Sequence, residues 1–292
     1  MGRVEIHADD FGESIHASRD ILDCIRAGKL DSISVLSNMS CFEKCVGLYR
    51  EAQADFPRPV KLSVHLNLME GSSLSDAKKL PDLTDSQGHF AVSWGKLFVR
   101  SHLPGSSGLK EQLKREIRAQ IGAVRRAFPE IRRLRIDSHQ HTHMIPIVNR
   151  AVWEVLREEG WEAEYVRDAA EPLLPFLKKP SLYGTYRPVN LVKNGILNYC
   201  SLRMQKQLRR EKMAPMYLWG LLMSGRMDER RVRILLPEME RYAQRRGRDL
   251  EILFHPGQVQ KEEITPEFSQ KEAIAFHVSE DRRTEKAAVM GL

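Results

Sequence analysis

The chain has 292 residues, a net charge of +7 and a 42% hydrophobic share. Those figures are ordinary for a globular protein with a sizeable core, and the length is normal for a β/α barrel. The basic excess gathers in Arg203–Lys212 and Arg226–Arg248. Acidic residues interrupt both stretches and stacking aromatics are sparse there, so they read as solvated helix faces and argue against a nucleic-acid surface.

None of the four cysteines, Cys24, Cys41, Cys45 and Cys200, forms a Cys-x-x-Cys pair. Cys41 and Cys45 sit one helical turn apart, but two thiols without nearby partners make a poor zinc site, so reduced core residues are expected. No signal peptide precedes the first strand, and no apolar run is long enough to span a bilayer. Ile6 stands where a myristoylation motif wants Ser or Thr. A cytoplasmic location is expected.

Arg3–Ala8 reads as a first strand that runs into Asp9-Asp10-Phe11-Gly12. Ser14 can cap a helix with Ile15, Ile21, Leu22 and Ile25 on one face and Gly28 beyond its end. Ser32–Leu36 reads as a second strand and Phe42–Ala54 as a second helix. After the break at Pro57 and Pro59, Val60–Leu68 reads as a third strand with His65 near its end. Glu70–Gly108 is loop-like, and a loop of that length is usually a lid or an insertion.

Leu109–Phe128 is a charged amphipathic helix, followed by a strand that ends at Asp137. Pro146 suits the first turn of a helix whose core face is Ile147, Ala151, Val152 and Val155, closed by Gly160. Glu164–Arg167 reads as a strand, Pro172–Pro188 as irregular, Asn198–Lys212 as helical, and Met216–Leu222 as apolar and ambiguous. Glu238–Arg246 is helical, and Leu250–Phe254 is a late strand ending in His255-Pro256-Gly257. Ile196–Arg210 mixes apolar and basic residues. It reads as an ordinary helix on the outside of the fold, with contact to an anionic membrane surface as the less favoured alternative.

The alternation of strand and helix, without a repeat or a clean linker, predicts one domain over residues 1–292 built on a parallel sheet, with insertions around 70–108 and 172–222. Polar clusters recur just past strand ends: Asp9 and Asp10, His65, Asp137–His143, Arg167 and His255. Active sites of β/α barrels are assembled in this way at the carboxyl-terminal face. An open doubly wound sheet is the runner-up, but an acidic pair stands where its Gly-rich phosphate loop would be.

Asp137-Ser138-His139-Gln140-His141-Thr142-His143 is the densest of these clusters. Imidazole is both a common metal ligand and a proton carrier near neutral pH, although a solvated His-rich turn has the same composition. One aspartate with two histidines is a sound set for a divalent metal with open positions. Two adjacent carboxylates at a strand end point in different directions, which allows one to bind metal and the other to handle a proton. Asp9-Asp10 reads equally as a capping pair, His65 as a core histidine, and His255 as a turn residue.

Ala8-Asp9-Asp10-Phe11-Gly12, Val64-His65-Leu66-Asn67-Leu68, Asp137–His143 and Phe254-His255-Pro256-Gly257 resemble, in order and spacing, the four motifs of the YdjC-like carbohydrate deacetylases, a family that includes chito-oligosaccharide deacetylases. The closing segment Ala275–Ala288 resembles the family's last helix. The resemblance covers nearly the whole chain. It implies a distorted β/α barrel of the TIM-like deacetylase type. It also implies a hydrolase of amide bonds that removes acetyl groups from small N-acetylated carbohydrates.

One divalent ion is implied, held by Asp10, His65 and His139, with Asp9 as general base and His255 as general acid. Magnesium or zinc comes first, and manganese, cobalt or nickel would also suit. Arg167 is expected to orient Asp9 or touch substrate. His143 and His141 are expected to fix His139 or contact the sugar. His7 stands where the family more often has Asn or Thr and receives no role. The chain is expected to be a monomer or homodimer without a nucleic-acid partner. Two rival functions remain at this stage: another metal-dependent hydrolase on the same barrel, a phosphoesterase or amidohydrolase, and a non-catalytic sugar- or lipid-binding protein.

Overall fold

Period-two alternation along the strands decides the architecture. Ser32/Ser34 alternate with Ile33/Val35, and Arg135/Asp137 alternate with Leu134/Ile136. Both sets are buried, so each strand is covered on both faces, with an apolar face and a polar one. The computed structural model describes residues 2–292. The elements run β1 (Val4–Phe11), α1 (Ile15–Arg26), β2 (Ser32–Val35), α2 (Phe42–Ala52), β3 (Lys61–Leu66), α3 (Trp94–Arg100), α4 (Ser107–Ala127), β4 (Leu134–Ser138) and α5 (Pro146–Glu158). They continue with β5 (Ala163–Val166), α6 (Leu174–Leu177), α7 (Pro188–Arg210), β6 (Tyr217–Trp219), α8 (Glu229–Arg245), β7 (Leu250–Phe254), α9 (Lys271–His277) and α10 (Glu280–Gly291).

All seven strands are parallel, in the order β5-β4-β3-β2-β1-β7-β6. The order never reverses, so the switch point of a doubly wound sheet is absent from the described residues. The sheet is curled. Arg167, just past edge strand β5, bonds to Asp9 of β1 and Glu251 of β7. At about 4.8 Å per strand, β5 and β1 would lie ~19 Å apart in a flat sheet, beyond the reach of a side chain. Past the strand ends the two edges are tied together. The Leu218 amide donates to the Ala170 carbonyl at 3.0 Å, and the Glu171 carboxylate accepts the amides of Gly220, Leu221 and Leu222.

The outward faces of the strands (Ala8, Ile33, Val35, Val64, Ile136, Ile252, Phe254) join α1, α4 and α5 residues in one apolar core. The inward face is a polar ion network. Arg135 and Lys61 pair with Glu5, Tyr165 with Glu251, and Arg167 with Asp9, Asp137 and Glu251. Charged groups that are buried but mutually paired can be held there.

Ser14 caps α1 as expected, accepting the Ala17 amide at 3.1 Å. Three boundaries differ from the sequence reading. The 70–108 stretch contains α3. The α7 helix starts ten residues earlier than Asn198, at Pro188, and α8 starts at Glu229 and runs through Pro237. Proline at a helix start costs nothing, because its missing N–H would have no partner there. The four thiols are free, and Cys41 and Cys45 lie against the backbone oxygens of Gly12 and Ser14 after β1.

Candidate active site

The site is built at the carboxyl-terminal ends of β1, β3, β4 and β7. In β1, Glu5, His7 and Asp9 face inward by simple alternation. Asp10 should then face outward. Instead its backbone turns left-handed at φ 71°, and the register with β2 slips between Ala8 and Phe11. Aspartate is one of the few residues that tolerates this conformation. The bulge swings both carboxylates to the same side: Asp9 Oδ2 and Asp10 Oδ1 lie 3.9 and 3.4 Å from His65 Nε2. Gly12 completes the turn at φ +96°, where a Cβ would sit 2.6 Å from the Leu36 carbonyl oxygen.

His65 comes from the end of β3. Its Nδ1 donates to Asp137 Oδ1 at 2.7 Å, which aims Nε2 at the aspartates. His139 follows β4, and its Nδ1 lies 3.1 Å from Asp10 Oδ1. The next two residues, Gln140 and His141, both have positive φ (52° and 55°), so strand alternation ends at His139. Asp10, His65 and His139 therefore converge, with ligand-capable atoms all within 4.8 Å of one another.

Two arginines sort the two aspartates. Arg167 is fully buried and clamps both oxygens of Asp9, at 2.9 and 3.0 Å. Burial works against the charge on Asp9, but Arg167 overcomes it and holds the carboxyl well below the usual range. Arg282 of α10 stands 2.9 Å from Asp10 Oδ2 only. Burial again opposes ionisation, Arg282 again outweighs it, and Oδ1 is left toward the histidines. Burial pulls His65 down, but Asp9, Asp10 and Asp137 together lift it to about 9.

The other histidines divide by their partners. His143 is buried, accepts from Ser138 at Nδ1 (2.6 Å) and donates to the Arg167 carbonyl at Nε2 (2.8 Å). Burial pushes it down to about 4. With both nitrogens engaged it braces the turn to β5 and offers none to a substrate. His141 is buried with an unpartnered Nδ1, and burial followed by Arg167 pushes it well down. His7 lies beneath Asp9. Its Nδ1 and Nε2 lie 2.6 and 2.7 Å from the hydroxyls of Ser32 and Ser34, which donate to Glu5 and Asp137, and Nε2 is 3.0 Å from Asp9 Oδ1.

Beside Phe254, whose partner in β1 is Ala8, His255 stands level with Asp9. Its amide donates to Glu285 at 2.6 Å, its ring packs edge-on against Phe276, and its side chain is 16% exposed. His139 is 9% exposed and the two aspartates less, so the two histidines are the more accessible of these side chains.

Sequence reasoning missed an outer ring. Glu70 Oε2 lies 3.3 Å from His139 Nε2 and 2.8 Å from His277 Nε2, while His277 Nδ1 lies 2.8 Å from Glu13. The signal for Glu70 was local: Asn67 Oδ1 accepts the amides of Met69 and Glu70, so the His-Leu-Asn-Leu motif turns the chain back on itself. His277, Arg282 and Glu285 lie in the segment expected to be the last helix. The chain breaks there at Val278–Ser279 between α9 and α10, which lets residues from both helices reach inward.

The residues present fit a divalent cation. His65 Nε2 is buried without a hydrogen-bond partner and faces Asp10 Oδ1, as does His139 Nδ1, and Asp10 Oδ2 meets Arg282 without hydrogen-bond alignment. One carboxylate with two imidazoles leaves coordination positions open. Two other buried groups fit less well. In His7–Asp9–Asp137, Arg167 already lies between the carboxylates; in Glu70–His139–His277, the imidazole of His277 is already bracketed by Glu13 and Glu70.

Fold and site together define an α/β protein with a curled parallel sheet and a buried carboxylate–imidazole centre of the kind used for metal-assisted hydrolysis. The profile of the YdjC-like protein family matches residues 3–291, and the chain belongs to that family. It is similar to a carbohydrate deacetylase of Brevibacillus brevis, 32% identical over 156 residues, which are 53% of this chain and 56% of that protein. A carbohydrate deacetylase of Danio rerio is 31% identical over 176 residues, 60% of this chain and 52% of that one. The chain thus spans about half the length of the curated relatives it matches. The fold is similar to a crystal structure from Enterococcus faecalis, provisionally described as a cellobiose-phosphate cleavage protein. That likeness has a TM-score of 0.61 at 16% identity and covers 99% of this chain and 94% of the other.

Proposed function

We propose that the chain is a single-domain, metal-dependent carbohydrate deacetylase, a hydrolase of the amide bond in N-acetylated sugars, working on a distorted β/α barrel. The observation that carries this reading is the pairing of an empty-handed ligand set, Asp10, His65 and His139, with a second, ionised carboxylate on the neighbouring residue. The relatives named carbohydrate deacetylase support the substrate class. Four free cysteines, three of them buried, fit a reducing cytoplasm.

Magnesium or zinc held by Asp10, His65 and His139 would supply Lewis-acid polarisation of the acetamide carbonyl and a water of lowered pKa. Asp137 orients His65, and Glu70 faces the far nitrogen of His139, the kind of support that fixes ligand geometry. Asp9 takes the proton of the attacking water. Arg167 keeps Asp9 ionised and fixes its plane, so it acts on the base and makes no contact with the sugar. His255 delivers a proton to the leaving amine nitrogen as the C–N bond breaks, because an amine is a poor leaving group without one. His143 keeps the Ser138–Met144 turn in place.

An acetate-release screen over N-acetylated mono- and oligosaccharides, with the protein loaded in turn with magnesium, zinc, manganese, cobalt and nickel, tests the reading. Release with at least one sugar, lost in Asp9→Asn, is expected. No release from any sugar with any metal, together with cleavage of a phosphoester, would replace it by the rival hydrolase.

A further inference from the structure

The segment from Pro172 to Lys212 holds nine Lys or Arg residues and a single acidic residue, Glu211. Its net charge of +8 exceeds the +7 of the whole chain. The same segment carries nine of the thirteen large hydrophobic side chains left exposed among the described residues. These two properties share one surface. On α7 the buried side is Asn194, Leu197, Ser201, Met204 and Leu208. The opposite side presents Leu191 (44% exposed), Val192 (62%), Tyr199 (48%) and Leu202 (67%), and continues at four-residue spacing into Lys206 and Arg210.

We propose that α7 forms a docking face for an anionic lipid bilayer. A helix with an exposed apolar stripe flanked by Lys and Arg lies in the interface of a charged membrane, with its apolar side among the acyl chains and its cations at the headgroups. Lys178 and Lys179 pair with Glu238, but Arg187, Lys193, Lys206, Arg209 and Arg210 make no ion pair among the described residues. A second copy docked on the same face would bring these cations together without carboxylates to meet them. The exposed aromatic of this face, Tyr199, already carries the Arg203 guanidinium over its ring, and exposed Leu and Val give a nucleic acid little else to stack on. Among the described residues no helix is long and apolar enough to cross a membrane, so the proposed contact is at the surface.

The face lies at the same end of the sheet as the candidate active site. Asn194 and Asn198 bond to Glu171, just past β5, and α7 packs on the His139–Met144 turn. The proposal stands whether or not the deacetylase reading does.

Co-sedimentation of the full chain with vesicles decides it. The probes are phosphatidylcholine alone and phosphatidylcholine with about 30% phosphatidylglycerol. Binding to the anionic vesicles only, weakened at ~0.5 M salt, is expected. Leu191→Glu/Leu202→Glu and Lys206→Glu/Arg210→Glu should each lower the binding constant by roughly tenfold or more. All four positions point to solvent, so unchanged thermal unfolding will show that the fold is kept. No vesicle binding, equal binding to both vesicle types, or binding unchanged in either double variant would overturn the proposal. A dimer by light scattering that is lost in Leu191→Glu/Leu202→Glu, without vesicle binding, would assign the face to a second copy.

Discussion

Replacing Arg167 by methionine removes one guanidinium that serves three carboxylates: Asp9 at 2.9 and 3.0 Å, Glu251 at 2.8 Å and Asp137 at 3.2 Å. All are essentially inaccessible to water. Breaking a buried ion pair from one side costs about 3–5 kcal/mol, because the partner is left charged and dry. Against a total stability of ~5–15 kcal/mol this is a large share. At ~2–4 °C per kcal/mol for a chain of this size, the melting temperature should fall by roughly 6–20 °C.

The loss carries a pH signature. In the native protein Arg167 holds Asp9 and Asp137 below their unfolded pKa, so their contribution is present above about 3.9 and fades as pH falls through the depressed folded value. In the variant, burial and mutual repulsion raise the same groups above the unfolded value. Such groups stabilise most below the unfolded pKa, and that contribution is lost as pH rises through the folded one. The gap between the two proteins should therefore widen from pH 5 to pH 8 in urea unfolding. A deficit under ~1 kcal/mol at pH 8, or an equal deficit at both values, would refute the view that Arg167 neutralises this cluster.

Asp10→Asn and His139→Ala should abolish zinc binding in equilibrium dialysis, whereas Asp9→Asn should bind zinc and lose turnover, with a melting temperature lowered by the loss of its buried pair with Arg167. Because His65 is raised to about 9 in the metal-free protein, it is protonated at pH 7, and metal binding must release that proton. Calorimetry in buffers of different ionisation heat should show the release, with affinity rising between pH 7 and pH 9. His255→Ala should lower turnover by ~100-fold or more while zinc binding is kept, and unchanged turnover would remove its assignment as the acid.

The motifs that bring ligands together were legible because they sit at strand ends, where alternation still governs direction. His65 and Asp137 followed from that rule. Asp10 did not: strand geometry sends Asp9 and Asp10 to opposite faces, and only the left-handed turn at Asp10 reunites them. The Asp137–His143 block looked like a cluster in its own right, yet His139 alone reaches the ligand set, since two positive-φ residues redirect the chain. Glu70, His277 and Arg282 were out of reach, because their place depends on a turn set by Asn67 and on two short helices packed from the far end of the chain. The start of α7 was hidden for another reason. Its outer side is apolar, so the contrast that marks an amphipathic helix was lost.

The central claim is one divalent ion at Asp10, His65 and His139 serving amide hydrolysis from Asp9. The most direct measurement is acetate released from an N-acetylated oligosaccharide as metal is added stepwise to metal-free protein. Activity should rise linearly and break at about one equivalent per chain, as a single-ion site requires. A break at about two equivalents, the signature of a paired-ion hydrolase, or no acetate at any loading, would contradict it.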